Sequence, residues 1–245
     1  MSGGVARVAA VPNTTAPRAS VSVAPSPGTP MPSTEDLAGT QASYDTVAGS
    51  YAALLEDELD ARPVDRALLA AFAETVMSAG LGPVGDLGCG PGRVTGHLSS
   101  LGVDAFGVDL SPGMVAEARR RHPRLRFEVG SILDLDLPDG SLGGALLWYS
   151  TVHTPPAQLP AVYAGVHRVL APGAPLLTAF KVGDCQVHLQ HAYGHDLSLQ
   201  VYWTPMELVT EQLARVGLVV DARVVCEPAP HEKQPQGYVM AHRPA

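Results

Sequence analysis

Apolar side chains recur every three or four positions between residues 44 and 80, which predicts two helices there. The first covers residues 44–55. The second begins at Pro63, a residue that the first turn of a helix tolerates, and ends at Gly80. From residue 84 onwards the pattern changes, and short apolar runs alternate with segments of helical periodicity. Such alternation predicts a mostly parallel sheet with helices on both of its faces.

Seven short apolar runs are predicted to be the strands of this sheet. They are residues 84–87, 105–109, 127–129, 145–148, 175–180, 218–226 and 236–242. The helices predicted between them are residues 92–101, 112–121, 155–170 and 205–217. No helical pattern separates the last two strands, which predicts an antiparallel hairpin at one edge. The predicted fold class is therefore α/β, with a Rossmann-like, seven-stranded, mostly parallel sheet that follows N-terminal helices over about residues 43–80.

The first 40 residues differ in composition from the rest of the chain. Six of the 22 prolines lie before Ser33, among Ala, Ser, Thr and Gly, and no aromatic residue precedes Tyr44. A segment with so little bulky apolar surface does not offset the conformational entropy that ordering costs, so residues 1–40 are predicted to be a disordered leader. A regulatory or partner-binding tail is a second interpretation. The globular domain is predicted to cover residues 41–245.

Charge and composition narrow the possible classes of protein. The net charge of −8 and the aromatic content of 5% argue against a nucleic-acid binder, which needs a basic face and stacking platforms. The three cysteines, Cys89, Cys185 and Cys226, are far apart and indicate a reducing compartment. Because the chain has no run of 18 apolar residues and no leucine-rich signal peptide, we expect a cytoplasmic protein without a membrane partner.

The candidate chemistry lies in residues 86–92, which read Asp-Leu-Gly-Cys-Gly-Pro-Gly and join a predicted strand to a predicted helix. Glycines let the backbone turn sharply and let a ligand approach closely, and the start of a helix presents free N–H groups. Asp109 ends the next predicted strand, 19 positions after Gly90. A carboxylate in that place accepts hydrogen bonds from ribose hydroxyls. The two motifs together predict a ligand that contains a nucleoside.

Two features separate this motif from that of nicotinamide dinucleotide enzymes. The dinucleotide fingerprint GxGxxG needs a third glycine where this chain has Arg93, and the glycine lies one position earlier, at Gly92. Asp86, two residues before the first glycine, repels a pyrophosphate but suits a ligand with an ammonium or sulfonium charge. S-adenosylmethionine carries both of these charges and is the cofactor that the motif predicts.

These motifs resemble those of the class I S-adenosylmethionine-dependent methyltransferases, and within them the small-molecule type 11 and type 25 group. The resemblance covers residue 41 to the C-terminus and implies that residues 43–80 form a lid. It also implies a set of cofactor contacts. These are Tyr44, Tyr51, Asp86, Gly88, Gly90, Gly92, Asp109, Leu110, Met114, Ser131, Ile132, Trp148 and Tyr149. Many members carry an acid in place of Ser131, and Asp134 is the alternative for that role.

The acceptor side of the site is expected beyond the fourth and fifth strands. His153 follows the C-terminal end of a strand, the edge at which open α/β sheets bind ligands, and its imidazole is a candidate general base. A histidine that only shapes the pocket or caps the next helix is the alternative. The resemblance places the segment after the fifth strand over the acceptor. The expected substrate contacts are Tyr149, His153, His191, Tyr193, His195 and Trp203.

Three histidines raise the question of a metal site. His188, His191 and His195 have a spacing that would place three imidazoles on one face of a helix. The residues between them are more typical of a loop that leads into a strand, and a metal site also needs hydrogen bonds that orient its ligands. We therefore expect no metal.

The predicted activity is transfer of a methyl group to an oxygen, nitrogen, sulfur or carbon atom of a small molecule, with a specialised metabolite as the expected class. Residues 154–157, Thr-Pro-Pro-Ala, depart from the (D/N)PP(Y/F) signature of base-methylating enzymes. One alternative is a cyclase or a non-methylating protein that binds S-adenosylmethionine on the same fold. A second alternative is an NAD(P)-dependent oxidoreductase. The oligomeric state stays open, with a homodimer as one option.

Overall fold

The computed structural model describes residues 21–24, 34–230 and 232–245. The α-helices are α1 (Thr34–Leu54), α2 (Pro63–Ala79), α3 (Arg93–Ser100), α4 (Pro112–Arg121), α5 (Leu159–Val169) and α6 (Met206–Arg215). The strands are β1 (Val21–Ala24), β2 (Val84–Leu87), β3 (Ala105–Asp109), β4 (Phe127–Val129), β5 (Gly144–Trp148), β6 (Pro175–Lys181), β7 (Cys185–Ala192), β8 (His195–Trp203), β9 (Val219–Cys226) and β10 (Gln236–His242).

The main sheet has seven strands in the order β4-β3-β2-β5-β6-β10-β9. The first five run parallel, while β10 pairs antiparallel with both β6 and β9. The predicted fold class, including the edge hairpin, is therefore confirmed. Because the chain moves outward in one direction from β2 to β4 and in the other from β5 to β6, the strand order reverses between β2 and β5. Open α/β sheets bind ligands at such a point.

The sheet is covered on both faces, which explains why its central strands are apolar throughout. Every residue of β2 and β5 is buried. On one face the sheet packs against α5 and α6, with Tyr163 and Leu213 among the buried side chains. On the other face it packs against α2 and α3, with Phe72 and Leu98 buried. A parallel sheet covered in this way needs continuous apolar strands rather than alternating ones.

The segment between β6 and α6 differs from the prediction of a loop that leads into one strand. It forms an antiparallel hairpin of β7 and β8, joined by a two-residue turn in which Tyr193 and Gly194 have φ values of 55° and 81°. Two positive φ values give a turn whose twist matches that of the flanking strands. Val187 on β7 and Val201 on β8 are buried against the body of the protein. On β8, Leu199 and Val201 are buried two positions apart, which is the period of a strand.

The N-terminal region also departs from the prediction within its described part. Strand β1 pairs antiparallel with β7, and α1 begins at Thr34, so both fall inside the range 1–40 assigned to a leader. The unpaired backbone groups on the outer edge of β7 give residues 21–24 their hydrogen-bonding partners. The other residues before Thr34 lie outside the described part of the chain. Among the described helices, none combines the length and apolarity needed to cross a membrane.

We predict that Gly143→Ala destabilises the fold by about 1–3 kcal/mol or more, because it overpacks a contact between backbones. A Cβ atom at Gly143 would lie 2.4 Å from the carbonyl oxygen of Gly82 and 2.5 Å from its nitrogen. Gly49→Ala is the matched control, since a Cβ atom added at this position of α1 would have no atom within 4 Å. Chemical denaturation should show the control gaining about 0.5–1 kcal/mol. Equal effects of the two changes would contradict this account.

Candidate functional site

Two clefts adjoin each other at the C-terminal ends of the parallel strands. The first, of about 860 Å³ with its open mouth, lies between α1 and the ends of β2, β3 and β5. The second, of about 1470 Å³, lies between the ends of β5 and β6, the hairpin β7–β8 and residues 232–236. Five residues line both clefts and form a shared wall. They are Tyr44, Tyr51, Trp148, Tyr149 and His153.

Most of the residues predicted to contact the cofactor line the first cleft. They are Tyr44, Tyr51, Gly88, Gly90, Asp109, Leu110, Met114, Ser131, Ile132, Trp148 and Tyr149. Asp86 and Gly92 do not line it, and neither does Asp134, which is exposed. Sequence reasoning missed the edge that α1 contributes through Leu37 and Gln41, because it placed the start of that helix later in the chain.

The glycine loop between β2 and α3 owes its shape to three positive φ angles, 82° at Gly88, 54° at Gly90 and 79° at Gly92. A Cβ atom at Gly88 would lie 2.2 Å from Cβ of Ser150, so only glycine lets the loop pass under the end of β5. A Cβ atom at Gly92 would lie 2.7 Å from the ring of Phe127. Gly92 therefore allows α3 to pack closely on the sheet, and it does not line the cleft.

Asp109, at the end of β3, ties the glycine loop to the start of α4. Its Oδ2 accepts a hydrogen bond from the backbone N–H of Gly90 at 2.7 Å, and its Oδ1 accepts one from that of Ser111 at 2.9 Å. Burial raises the pKa of Asp109, while these two N–H donors oppose the shift. Each oxygen keeps a second lone pair, and the residue lines the first cleft. Asp109 can therefore accept hydrogen bonds from a ligand there.

Asp86 lies behind the glycine loop and not in the cleft. Only 1% of this residue is exposed, its Oδ2 accepts a hydrogen bond from Thr95 Oγ1 at 2.6 Å, and its Oδ1 has no partner within the described residues. Burial, together with nearby Asp109, raises the pKa of Asp86 to about 7 against the opposing effect of the Thr95 hydrogen bond. The sequence placed an acid correctly at the strand end, but Thr95 and the loop shield it from direct contact with the cleft.

Helix α1 is held over the first cleft by polar contacts with α4. Asp45 Oδ1 accepts hydrogen bonds from Ser111 Oγ at 2.5 Å and from the backbone N–H of Gly113 at 2.8 Å. A carboxylate at the first turn of a helix also interacts favourably with the helix dipole. Val47 of α1 packs against Met114 of α4 in a small apolar cluster. These contacts fix the position of the wall that α1 gives to both clefts.

His153 contacts both α1 and β8 from its place in the shared wall. Its Nδ1 lies 2.6 Å from the carbonyl oxygen of Gln200, and its Nε2 lies 2.6 Å from the hydroxyl of Tyr44. Because a carbonyl only accepts, Nδ1 carries the proton and Nε2 accepts from the Tyr44 hydroxyl. Burial, together with nearby Lys181, lowers the pKa of His153 to about 4 against the opposing effect of the Gln200 carbonyl. The imidazole is therefore neutral at pH 7, with Nε2 as its basic atom.

Tyr149 adopts a φ of 56°, which is strained for a bulky residue. Its hydroxyl lies 3.0 Å from that of Tyr238, and Tyr238 donates to Oδ1 of Asp65 at 2.7 Å. Asp65 is buried on α2, where burial raises the pKa of its carboxyl. This chain of polar groups holds the Tyr149 side chain in the shared wall. Sequence reasoning missed Asp65 and Tyr238, because no local pattern connects positions 173 residues apart.

Four of the six residues predicted to contact the acceptor line the second cleft. They are Tyr149, His153, Tyr193 and Trp203. His191 and His195 do not line it, since His191 pairs with Asp196 at 2.9 Å on the hairpin and His195 opens the following strand. Contact of these two histidines with the acceptor, which the resemblance implies, stays a prediction. In the hairpin, His188, His191 and His195 are divided between two strands.

The second cleft also contains charged side chains that sequence reasoning missed. Arg62 forms ion pairs with Glu232 and, at 3.3 Å, with Glu58, while Arg93 pairs with Glu58 at 2.8 Å. Lys181 lines the same cleft at the end of β6. The sequence could have predicted that Lys181 lies near the site, because this residue follows a predicted strand at the edge of the sheet where ligands bind.

Comparison with known proteins adds independent findings. Residues 84–173 match the family profile described as a methyltransferase domain. Demethylmenaquinone methyltransferase from Beutenbergia cavernae is 31% identical over 61% of this chain and 54% of that protein. Trans-aconitate 2-methyltransferase from Methylobacterium nodulans is 41% identical over 36% of this chain and 34% of that protein. The chain thus spans between about a third and about half of the length of these two relatives.

The fold is also similar to that of a solved structure. The DhpI–SAH complex superposes with a TM-score of 0.67 over 87% of this chain and 99% of that chain, at 22% identity. At this identity the likeness concerns the fold alone. The profile match begins at β2 and includes the glycine loop and Asp109, the two features on which the first cleft depends. Residues 84–173 of this chain are therefore similar to a methyltransferase domain, and the fold is similar to that of the DhpI–SAH complex.

Proposed function

We propose that this protein transfers a methyl group from S-adenosylmethionine in the first cleft to a small-molecule acceptor in the second. The observation that carries the proposal is the shared wall, because a group that passes between two ligands needs a place where both clefts meet. When bound, S-adenosylmethionine supplies an electrophilic methyl group on a sulfonium sulfur. The protein then has to align the acceptor and exclude water.

The residues of the first cleft fit this cofactor. Gly88 and Gly90 let it approach the loop backbone, and Asp109 has lone pairs available for ribose hydroxyls. Leu110, Met114, Ile132 and Ser131 also line the cleft. The first three would contact the adenine ring and Ser131 its polar edge. The buried Oδ1 of Asp86, without a partner in the described part of the chain, favours a positive charge beyond the loop.

A small acceptor fits the second cleft better than a macromolecule. The cleft is walled by the hairpin β7–β8, and the net charge of −8 disfavours nucleic acid. By their names, the two relatives act on demethylmenaquinone and trans-aconitate, which are both small molecules. We propose a specialised metabolite as the acceptor, bound in the cleft that the hairpin borders. A cytoplasmic setting fits the three free cysteines.

His153 is the proposed residue for proton transfer. It lines both clefts and presents Nε2 as its unprotonated atom. A pKa near 4 makes it a weak base. Methyl transfer needs little help from a base, because a sulfonium is a good leaving group. Nε2 would accept the proton of an acceptor hydroxyl or amine, which displaces the Tyr44 hydroxyl from its present contact.

The proposal is tested by mass spectrometry of S-adenosylhomocysteine release across a panel of phenols, amines, thiols and carboxylic acids. Release together with a methylated product supports it. Tight binding of S-adenosylmethionine without release from any compound would indicate a cyclase or a binding protein instead. Stronger thermal stabilisation by NAD(P) than by S-adenosylmethionine would overturn the cofactor assignment.

We predict that Asp109→Asn weakens binding of S-adenosylmethionine by about 10- to 100-fold, the loss expected for one hydrogen bond to a charged group. Calorimetric titration measures the change. Asp104→Asn is the matched control, since Asp104 is exposed and lies directly before the same strand. This variant should bind the cofactor as the native chain does. Unchanged affinity in the Asp109 variant would show that this carboxylate does not contact the ribose.

Asp86→Asn is predicted to stabilise the protein at high pH and to weaken the cofactor's binding. The carboxyl has a pKa near 7 when folded and near 4 when unfolded, so its contribution to stability is present below pH 4 and is lost as the pH rises to 7. Relative to the native chain, the free energy of unfolding of the variant should therefore rise by about 2–3 kcal/mol between pH 5 and pH 8. A difference that does not depend on pH would refute the raised pKa.

His153→Ala is predicted to slow turnover by about 10- to 100-fold while cofactor binding is retained. Initial rates with an acceptor found in the panel, together with a cofactor titration, separate the two effects. His242→Ala is the control, because His242 pairs with Asp221 at the opposite edge of the sheet. Undiminished turnover in the His153 variant would assign this residue to pocket shape alone.

A further inference from the structure

The second cleft carries more positive than negative charge, although the chain as a whole has a net charge of −8. Four cationic side chains line it, and two carboxylates face them. The cations are Arg62, Arg93, Lys181 and Lys233, and the carboxylates are Glu58 and Glu232. A cleft whose charge opposes that of the whole protein concentrates anions. This contrast points to the chemistry of the ligand rather than to the solubility of the chain.

The two carboxylates are already engaged by the arginines. Glu58 forms ion pairs with Arg62 at 3.3 Å and with Arg93 at 2.8 Å. Glu232 forms an ion pair with Arg62, and its Oε2 accepts a hydrogen bond from the backbone N–H of Ala229 at 2.9 Å. The arginines therefore belong to a structural network that joins α2, α3 and the loop before β10. The excess of positive charge is left to the lysines.

Of the two lysines that carry this excess of positive charge, Lys181 is half-buried. It ends β6, at the edge of the sheet where both clefts lie, and burial lowers the pKa of its ammonium. Among the residues that the structure describes, its ammonium has no ion pair and no hydrogen bond. A charge that is partly removed from water without a partner is unfavourable unless a ligand supplies the opposite charge.

The distribution of lysine in the sequence supports the same conclusion. The chain has 16 residues of Lys and Arg, of which only Lys181 and Lys233 are lysines, and both line the second cleft. Arginine supplies the cations everywhere else, including the ion pairs of the surface helices. Lysine differs from arginine in that it is a compact point charge on a flexible stem, with three rotatable donors that an anion can accept from.

We propose that the acceptor carries a carboxylate and that Lys181 binds it in the second cleft. This inference rests on the proposed function, since it assumes that the second cleft holds the acceptor. Lys181 and His153 both line the second cleft, and His153 belongs to the shared wall, so the anchored carboxylate lies in the cleft that this wall borders. Val187, Val201 and Trp203 of the hairpin give the cleft an apolar side for the carbon skeleton. The ligand class is a carboxylic acid with an apolar or aromatic body.

The test uses calorimetric titration of the full chain, loaded with S-adenosylhomocysteine, against three matched pairs of probes. The pairs are 4-hydroxybenzoate, 4-hydroxycinnamate and indole-3-acetate, each with its carboxamide. We expect at least one acid to bind at least about 10-fold more tightly than its amide, the discrimination typical of a lost charged hydrogen bond. Lys181→Met should abolish this preference, and Lys181→Arg should keep part of it. Arg215→Met, on the exposed side of α6, is the charge-matched control and should bind like the native chain.

A second measurement does not depend on the folding of a variant. With only two lysines in the chain, acylation of each amine can be followed separately by mass spectrometry. The preferred acid should protect Lys181, and its amide should not. Equal binding of acid and amide in all three pairs, or an acid preference that survives Lys181→Met, would overturn the inference. Failure of S-adenosylhomocysteine to bind in the first step would instead overturn the proposed function, so the two failures are distinguishable.

Discussion

The close approach of two loops, at the ends of the neighbouring strands β2 and β5, is the constraint on which the site depends. Gly88 passes so near Ser150 that a single added carbon would lie 2.2 Å from its Cβ. Directly before Ser150, Tyr149 takes a positive φ. This contact lies at the point where the strand order reverses. It forms a floor of backbone, and the two clefts open on either side of that floor. The wall between the clefts is therefore a product of backbone geometry more than of any single side chain.

The polar groups around this floor divide into those that meet a ligand and those that hold the protein in place. Asp109 does both, since its oxygens fix the loop and the start of α4 while the residue still lines the first cleft. Asp86, the same residue type at the end of the adjacent strand, is buried and acts at a distance. Asp45 serves only to hold α1. The three carboxylates show that the surroundings, and not the residue type, decide the role.

Local patterns in the sequence were sufficient for the sheet and for the glycine loop, because strand periodicity and glycine spacing are properties of neighbouring residues. They were insufficient for the hairpin, since they predicted a loop that leads into one strand and did not identify the two-residue turn at Tyr193 and Gly194 that joins β7 to β8. Local patterns predicted that Asp86 and Asp109 both contact the cofactor. They could not show that Thr95 and the glycine loop shield Asp86 from the cleft. The contact of Asp65 with Tyr238 depends on how α2 packs against β10, which no local pattern encodes.

The chain of hydrogen bonds from the Asp65 carboxyl through Tyr238 to Tyr149 has an electrostatic consequence for the shared wall. An ionised carboxylate only accepts, so Tyr238 must direct its proton towards Asp65, and its oxygen is then free to accept the proton of Tyr149. Tyr149 consequently turns its lone pairs, and not its proton, towards its remaining surroundings. A helix that lines neither cleft thereby sets the polarity of the surface between them, and that polarity favours a positively charged centre beside it.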